Sequence, residues 1–578
     1  MQLISLTANR DSFKPVVFNS TTGINLIVAK QKNPEKSDKG DTTNGVGKSL
    51  LVAIIHFCLG SSTKKAFKDS LSGWEFTLKF RIKNSEYTSI RSTDKQGKIK
   101  LNGEEITTRE FNGKLKKLVF EIPDDIGELS FRSLIPFFIR PSKASYNDEK
   151  NPKAVNKPFQ VQMINTYLLG LDVLLAQEKY RLKLEKDRIK DLVKNLKNDN
   201  YLKDFFTGKK DVSLSKQELT DKIDQLEYNL KNFNIAEDYY EINQQADQLK
   251  QDIERLHQQL ELIKIQISNI DESRKISPDI ERNKIEQVYK EASVLLQDQA
   301  IKQLAELEKF YEHLSRNREK RLLDQKNELL RKAKLFETTK HSKSAELDGK
   351  LKYLDAHQAL DMFTKLSNNL SDLKSKKENL EQYEELLESY SEESRNISKS
   401  QLDESEKTAT YLKDASEVIA RTNDFFRTLV KRFYPKAAAG ITIHNNEGEN
   451  QIRFDIDAKI EFDKSDGISN VKTFCYDMTL LLKGYGHNVD FIFHDSRLLE
   501  GIDPRQKFDL ITILKEYIEG SNKQYIITVN YNQLEEIKPL FQSEDDYNKF
   551  VKENTILELK DSSASDKLLG IQVDMDYE

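Results

Sequence analysis

Apolar residues in the middle of the chain follow the spacing of a coiled coil. From Leu249 to Ile270, leucine and isoleucine recur at alternating intervals of four and three residues, with charged and polar residues between them. The run from Leu219 to Phe233 repeats this spacing, and the run from Leu366 to Leu387 follows it more weakly. An average repeat of 3.5 residues predicts helices that pair through one apolar face, as in a left-handed coiled coil. An ordinary helical bundle is the alternative.

Residues that break helices are almost missing from the same region. Between Leu171 and Val430 the chain has one proline, Pro278, and two glycines, Gly208 and Gly349. Proline is excluded from helix interiors because it lacks the N–H group and clashes with the preceding turn. Residues 171–430 are therefore predicted to form a coiled-coil hairpin with elbows.

Three short segments interrupt the apolar repeat. Ser277-Pro278-Asp279 is typical of a helix start, with an N-cap, a proline in the first turn and an acidic residue after it. Residues 200–216 and 336–350 are also irregular. One of the three is the tip of the hairpin, and the others are elbows or short inner hairpins. The sequence leaves this choice open.

The two ends of the chain have a different pattern. Short apolar runs at residues 23–29, 489–495 and 525–530 predict buried strands, and Trp74, Phe76 and Phe80 alternate along another strand. These segments predict an α/β head built from residues 1–170 and 431–578.

Composition agrees with long solvated helices. Charged residues make up 32% of the 578 residues and hydrophobic residues 37%, mean hydropathy is −0.67, and the net charge is only −4. No apolar run is long enough for a transmembrane helix and no signal peptide is visible, so we expect a soluble, cytoplasmic protein. The two cysteines, Cys58 and Cys475, exclude a disulfide framework and a four-cysteine zinc site.

A phosphate-binding loop is the strongest chemical signal. Residues 42–49 read TTNGVGKS and lie between the apolar strand at 23–29 and an apolar helix that starts at residue 50. Glycine at two positions lets backbone N–H groups approach a phosphate, the lysine adds charge, and the serine offers a hydroxyl to Mg²⁺. The first glycine of the usual motif is Thr42 here. The predicted ATP-binding residues are Asn44, Gly45, Val46, Gly47, Lys48 and Ser49.

The carboxylate that such a loop requires lies far away in the sequence. Asp495 ends the apolar run at 489–495 and is the candidate Mg²⁺ ligand together with Ser49. Both residues must reach one nucleotide, so the intervening chain has to leave the head and return. An antiparallel coiled-coil hairpin would do this.

These features resemble the SMC, RecN and RecF class of ABC-type ATPases. Within that class, residues 43–60 and residues 494–503 (HDSRLLEGID) are similar to the coiled-coil ATPase of three-component antiphage systems of the Lamassu type. The resemblance implies an ABC-type ATPase head split between the N- and C-terminal segments, with a long antiparallel coiled-coil insertion. It also implies ATP and Mg²⁺ as cofactors, a homodimer formed through the heads, and binding of double-stranded DNA without sequence specificity. Accessory and effector subunits, often a nuclease, would complete the complex.

Position by position, the resemblance is uneven. It implies that Ser465 or Ser469, before a helix predicted from Val471, contacts the γ-phosphate on the partner head, and that Asp503 crosses the dimer interface. The family's switch histidine is absent, and Thr528 or Asn530 takes its place.

The family's catalytic glutamate follows the aspartate, but this chain has Ser496 there. Glu500 is the substitute candidate, which makes Asp495 and Glu500 the predicted catalytic residues. Losing a positioned base costs about 10²–10⁴-fold in rate, so we expect a slow ATPase.

Basic stretches at residues 140–157, 179–197 and 316–334 are candidates for DNA contact, although a basic run on a coil is usually a solvated face.

The predicted function is an ATP-binding subunit that senses or clamps DNA and controls an effector. The alternatives are a DNA-repair ATPase of the RecN or RecF kind, and a structural coiled-coil scaffold with a vestigial phosphate loop.

Overall fold

The computed structural model describes residues 1–31, 45–123, 126–197, 212–231, 240–275, 298–354, 360–461, 465–573 and 575. The chain divides into two units. The first consists chiefly of Met1–Leu184 and Lys399–Glu578, and the second of Glu185–Lys290 and Ile301–Ser398.

Strands occur at both ends of the chain. They are β1 (Gln2–Ala8), β2 (Val16–Val17), β3 (Ile24–Lys30), β4 (Glu75–Ile82), β5 (Ser85–Ser92), β6 (Lys98–Leu101), β7 (Glu104–Thr107), β8 (Ala439–Asn445), β9 (Phe454–Ile460), β10 (Phe491–His494), β11 (Gln524–Asn530) and β12 (Thr555–Lys560). Six of them form an antiparallel sheet in the order β2-β1-β4-β5-β6-β7, and β8 pairs with β9. Trp74, Phe76 and Phe80 are buried beneath the large sheet, as their alternation predicts.

The described chain also contains α-helices. They are α1 (Lys48–Cys58), α2 (Lys65–Ser70), α3 (Thr108–Val119), α4 (Phe131–Leu134), α5 (Pro158–Leu168), α6 (Val173–Lys197), α7 (Val212–Lys231), α8 (Tyr240–Lys275), α9 (Asp298–Leu354), α10 (Leu360–Asp414), α11 (Ser416–Phe433), α12 (Asp466–Lys483), α13 (Pro504–Tyr517), α14 (Tyr531–Glu535) and α15 (Glu544–Asn554). Among the described residues, none of these helices has the length and apolar character needed to cross a bilayer.

A four-stranded parallel sheet joins the two ends of the chain. Its order is β10-β11-β3-β12, so the N-terminal strand β3 lies between two C-terminal strands. Six of the seven residues of β3 are buried, which is typical of a parallel sheet covered on both faces. Because the strands are parallel, the residues that follow β3, β10 and β11 lie at one edge, the usual place for a ligand in such sheets.

The second unit is helical and its apolar repeat faces inward. In α8, Leu249, Leu260 and Ile263 are buried, whereas Leu262 and Ile265, which lie outside the repeat, are exposed. The prediction of paired helices in the middle of the chain is confirmed for the described residues.

Ion pairs show that the helices of the second unit run antiparallel. From Lys216–Glu384 and Glu227–Lys374 the pairs continue with Asp252–Lys343, Asp271–Lys326 and Arg274–Glu319. Within each pair of helices, α7 with α10 and α8 with α9, the residue number of one partner falls as that of the other rises. Only antiparallel helices produce this pattern. The helices α8 and α9 are therefore antiparallel neighbours.

The helix α8 also packs against a second neighbour within this unit. The Lys250 ammonium lies 5.0 Å from the ring centroid of Phe363 on α10. Asp372, also on α10, acts electrostatically on His257, which approaches Lys340 of α9 to 3.3 Å. The antiparallel pair of α8 and α9 consequently lies alongside α10.

One predicted interruption is wrong. Residues 336–350 lie inside the continuous helix α9. Thr338 and Thr339 donate their hydroxyls to the carbonyl of Leu335, which keeps these polar residues compatible with a helix, and the single Gly349 costs only about 1 kcal/mol. Residues 213–216 likewise belong to α7, whereas residues 200–211 and Ser277–Asp279 lie outside the described residues.

Candidate functional site

The phosphate-binding loop enters α1 through two left-handed glycines. Gly45 has φ +89° and Gly47 has φ +106°, a region that side chains disfavour. Gly47 is the N-cap of α1, so the N–H groups of the first helical turn, which have no partner within the helix, point toward the loop. This geometry suits an anion. Asn44 lies outside the described residues.

The C-terminal segment covers one side of this loop. The backbone N–H of Leu568 donates to the carbonyl of Val46 at 3.0 Å. A Cβ at Gly47 would lie 2.5 Å from the Leu568 Cβ, so the second glycine is required by packing as well as by its φ angle. Nothing in the sequence pattern indicated Leu568.

Ser49 and Asp495 are brought together across 446 residues of sequence. The Ser49 hydroxyl donates to Asp495 Oδ2 at 2.6 Å. Beside them, the Lys48 ammonium donates to Asn530 Oδ1. Burial lowers the pKa of Lys48, and the carboxylates of Asp495 and Glu500 oppose that shift. Residues from β3–α1, β10 and β11 thus meet at one edge of the parallel sheet.

Asp495 is held by its own backbone as well. Its N–H donates to the Tyr146 hydroxyl at 2.7 Å, and its carboxylate Oδ1 accepts from the N–H of Arg497 at 3.2 Å. Tyr146 belongs to a short 3₁₀ helix, Lys143–Tyr146, and was not among the predicted site residues.

Ser496 faces inward and does not replace a catalytic base. Its side chain is largely buried, its N–H donates to Thr528 Oγ1 at 2.8 Å, and its hydroxyl donates to Asp495 Oδ1 at 3.3 Å. Thr528 is fully buried and occupied by this contact. Of the two switch candidates, Asn530 is therefore the one beside Lys48.

Glu500 is exposed at the end of the 3₁₀ helix Ser496–Leu499. Its backbone carbonyl accepts from Asn470 Nδ2 of α12 at 2.9 Å. Its carboxylate is near enough to Lys48 to oppose the lowering of the lysine pKa.

Three other candidates cap or begin helices. Ser465 is the exposed N-cap of α12, and Asp503 is the exposed N-cap of α13, where it accepts from the N–H of Arg505 at 2.8 Å. The predicted helix start at Val471 is wrong, because α12 begins at Asp466 and Ser469 lies within its first turn. The Ser465 side chain satisfies an early N–H group, which allows the helix to start earlier.

The donor set fits Mg²⁺ bound together with a nucleotide. A serine hydroxyl and one carboxylate supply oxygen ligands, and Mg²⁺ is commonly held by one or two carboxylates plus phosphate oxygens and waters. Within the described part of the chain, no three His, Cys, Asp or Glu side chains cluster to hold a metal ion by themselves. The remaining ligands would have to come from the nucleotide and solvent.

Several basic residues are engaged inside the protein. Arg91 is buried and donates to the carbonyls of Phe57 and Gln96, so it is neither a surface arginine nor directed at the loop. Arg140 and Lys179, from two of the basic stretches, are also buried, and they contact Asp477 and Asn446. They are not free for DNA.

His56 is a core histidine. Its Nε2 accepts from Arg132 at 2.9 Å, and burial lowers its pKa well below the usual value. Its ring therefore belongs to the packing behind the phosphate loop.

Residues 429–573 match a family model described as "Uncharacterised protein conserved in bacteria (DUF2326)". No curated protein matches the chain. An Smc head domain with a coiled coil and joint from Pyrococcus yayanosii is 17% identical, covers 96% of this chain and 99% of its own, and has a TM-score of 0.35. An Smc head domain with an extended coiled coil, bound to the C-terminal domain of ScpA, from Pyrococcus furiosus is 10% identical, with coverage of 96% and 99% and a TM-score of 0.34. At scores this low the likeness establishes no common fold, so a functional assignment has to rest on side-chain geometry.

Proposed function

We propose that the protein binds ATP with Mg²⁺ at the phosphate-binding loop and hydrolyses it slowly. The observation that carries this proposal is the 2.6 Å contact between Ser49 Oγ and Asp495 Oδ2, beside the largely buried Lys48. A loop serine and a strand-end carboxylate in contact are the pair that a Mg-nucleotide requires from the protein.

Each residue of the chain has a distinct part in this proposal. The N–H groups from Gly45 to Lys48 and the Lys48 ammonium bind the phosphates, and Ser49 with Asp495 would hold the metal ion, which supplies charge neutralisation when bound. When ATP binds, the Lys48 ammonium would exchange its hydrogen bond with Asn530 for one with the γ-phosphate.

Slow turnover follows from the position of Ser496. A serine hydroxyl is too weak a base to accept a proton from water, so Glu500 has to orient the attacking water from further along the chain. A base that is less well positioned lowers the rate by about 10²–10⁴-fold.

The larger assembly is proposed from the resemblance to SMC-like ATPases of the Lamassu type. Ser465 and Asp503 are exposed helix caps at the surface of the first unit, and Ser469 lies in the turn that follows Ser465. Two heads would close around two ATP molecules, clamp double-stranded DNA without sequence specificity, and control an effector, often a nuclease, through an accessory subunit.

The Lys48→Ala variant tests the proposal. It removes a charged donor from the phosphates, so ATP affinity should fall about 10–100-fold, measured by binding of a fluorescent ATP analogue. ATP-dependent dimerisation and retention of circular double-stranded DNA should be lost with it.

Lys179→Ala is the matched control, since Lys179 is equally buried but binds Asn446. Its ATP affinity should equal that of the wild type. If Lys48→Ala binds ATP as the wild type does, the nucleotide proposal is wrong and a structural coiled-coil scaffold is favoured. If ATP binding is lost but no effector or accessory subunit copurifies from the host, a RecN- or RecF-like repair role is favoured.

A further inference from the structure

A fully buried polar cluster lies directly behind Asp495. The side chains of Arg140, Asp477 and His494 have no exposed surface. Arg140 Nε and Nη2 donate to the two carboxylate oxygens of Asp477 at 2.6 and 2.7 Å, and His494 Nε2 lies 2.8 Å from Asp477 Oδ2. None of the three contacts the phosphate-binding loop through these atoms.

The hydrogen bonds of the cluster are complete. The remaining N–H groups of Arg140 donate to the carbonyls of Ser145, Asp148 and Glu149. Because the carboxylate of Asp477 only accepts, His494 donates through Nε2, and its Nδ1 accepts from the Tyr525 hydroxyl at 2.8 Å. Removing any one member would leave a buried polar group or charge without a partner, which is costly.

The cluster reaches Asp495 from two directions. His494 is the last residue of β10, and Asp495 follows it directly in the chain. Tyr146, whose hydroxyl accepts from the Asp495 N–H, lies in the segment whose carbonyls Arg140 binds. The backbone of Asp495 is thus fixed on both sides by groups that Arg140 and Asp477 hold in place.

The cluster also ties Asp495 to another element. Asp477 belongs to α12, the helix that begins at Asp466, and Lys472 of the same helix pairs with Glu149 at 3.4 Å. Segment 140–149 is therefore attached to α12 at two points and to the end of β10 at a third.

We propose that Arg140, Tyr146, Asp477 and His494 are positioning residues that hold the Asp495 carboxylate against Ser49 and thereby set the affinity of the site for Mg²⁺ with ATP. This inference rests on the proposed function. Its physical reason is that an apolar core would avoid the cost of burying these charges, yet it could not anchor the N–H group of Asp495 or orient His494.

The test is the Mg²⁺ dependence of ATP binding by the full chain. A fluorescent ATP analogue is titrated at a series of Mg²⁺ concentrations and again in EDTA. In His494→Phe and Tyr146→Phe, the Mg²⁺ concentration for half-maximal stimulation should rise about ten-fold, while affinity in EDTA stays within about two-fold of the wild type.

A conservative variant and a control separate positioning from a loss of stability. His494→Gln keeps a donor for Asp477 and should restore the Mg²⁺ dependence to within about three-fold of the wild type. Tyr167→Phe removes another tyrosine hydroxyl, which donates to the Gly486 carbonyl, and should leave the Mg²⁺ dependence unchanged.

An unchanged Mg²⁺ dependence in Tyr146→Phe would overturn the inference, whether or not His494→Phe folds. The inference also fails if His494→Phe has the expected defect but His494→Gln does not correct it. Loss of ATP binding in Lys48→Ala beside unchanged Mg²⁺ dependence in Tyr146→Phe refutes this inference alone. Wild-type ATP binding in Lys48→Ala refutes the proposed function instead.

Discussion

At Gly467, the first turn of α12 touches the segment that follows Asp495. A Cβ built at Gly467 would lie 2.3 Å from the carbonyl oxygen of Gly501, and Asn470, one turn later, donates to the Glu500 carbonyl. The absence of a side chain therefore permits the contact that places Glu500. The sequence showed Gly467 only as part of the segment before a predicted helix.

Gly467→Ala should destabilise the first unit and displace Glu500. Overpacking at a site that can move only by shifting backbone costs about 1–3 kcal/mol. Urea unfolding followed through the fluorescence of the single tryptophan, Trp74, measures this cost, because that residue is buried in the first unit.

Gly113→Ala is the control, and its expected change in the free energy of unfolding has the opposite sign. Gly113 lies inside α3 with open space around its Cα, so alanine should stabilise the helix by about 0.5–1 kcal/mol. Equal stability of the two variants would contradict the close contact at Gly467.

Among single residues, the ones that the sequence identified are those whose chemistry follows from a local motif. Gly47, Lys48 and Ser49 belong to one continuous loop, so their mutual placement is local. Tyr146 was missed, because its partner, the Asp495 N–H, is a backbone group that no pattern of side chains reveals.

Among the elements, the paired helices of the second unit follow from the apolar repeat, but their partners do not. A 3.5-residue repeat shows which face of a helix is buried but not which helix packs against that face. The choice of α9 for α8 is visible only in contacts such as Asp252 with Lys343 at 2.6 Å.

Cysteine substitution tests this pairing. Asp252→Cys combined with Lys343→Cys should be joined by a short bifunctional thiol reagent within one chain, detected by mass spectrometry of the linked peptides. The native Cys58 and Cys475 are buried and should not react.

The matched control is Asp252→Cys with Lys332→Cys. Residue 332 lies in the same helix, roughly 16 Å from residue 343 at 1.5 Å per residue. Efficient linking of the control pair, or none in the first pair, would contradict the antiparallel register.

At the scale of the whole molecule, the two ends of the chain share one core. β3 pairs with β11 on one side and β12 on the other, and a single cluster of buried residues includes both terminal segments. His56 and His494 are buried in the first unit, and His487 is partly buried there. Burial lowers the pKa of His487 to about 4, and burial also lowers the pKa of His56 and His494.

The first unit should therefore lose stability on acidification. Histidine titrates near pH 6.5 in the unfolded chain, so between pH 6.5 and about pH 4 the unfolded state binds more protons than the folded state. The free energy of unfolding therefore decreases as the pH is lowered through this range. His487 alone should contribute about 2 kcal/mol between pH 7.5 and pH 5.

Urea unfolding of the wild type and of His487→Gln at the two pH values measures this contribution. The variant has no titrating ring at residue 487, so its loss of stability on acidification should be smaller by about 2 kcal/mol. The same pH dependence in both proteins would rule out a buried neutral His487.

The sequence by itself determined the described helices of the middle segment, the buried strands and the turn from β3 into α1. Each of these depends on the spacing of residues that are near one another in the chain, and backbone periodicity converts that spacing directly into structure. The pairing of Ser49 with Asp495 could be expected only from what a Mg-nucleotide requires of two distant segments.

Only the tertiary structure decided which groups surround Asp495, where α12 begins and how the helices of the second unit pair. The contacts of Tyr146, Asp477 and Leu568 join segments hundreds of residues apart, and they depend on packing that many sequences could satisfy differently. Such contacts leave no periodic trace in the chain, because the backbone and buried atoms that make them are set by the fold as a whole.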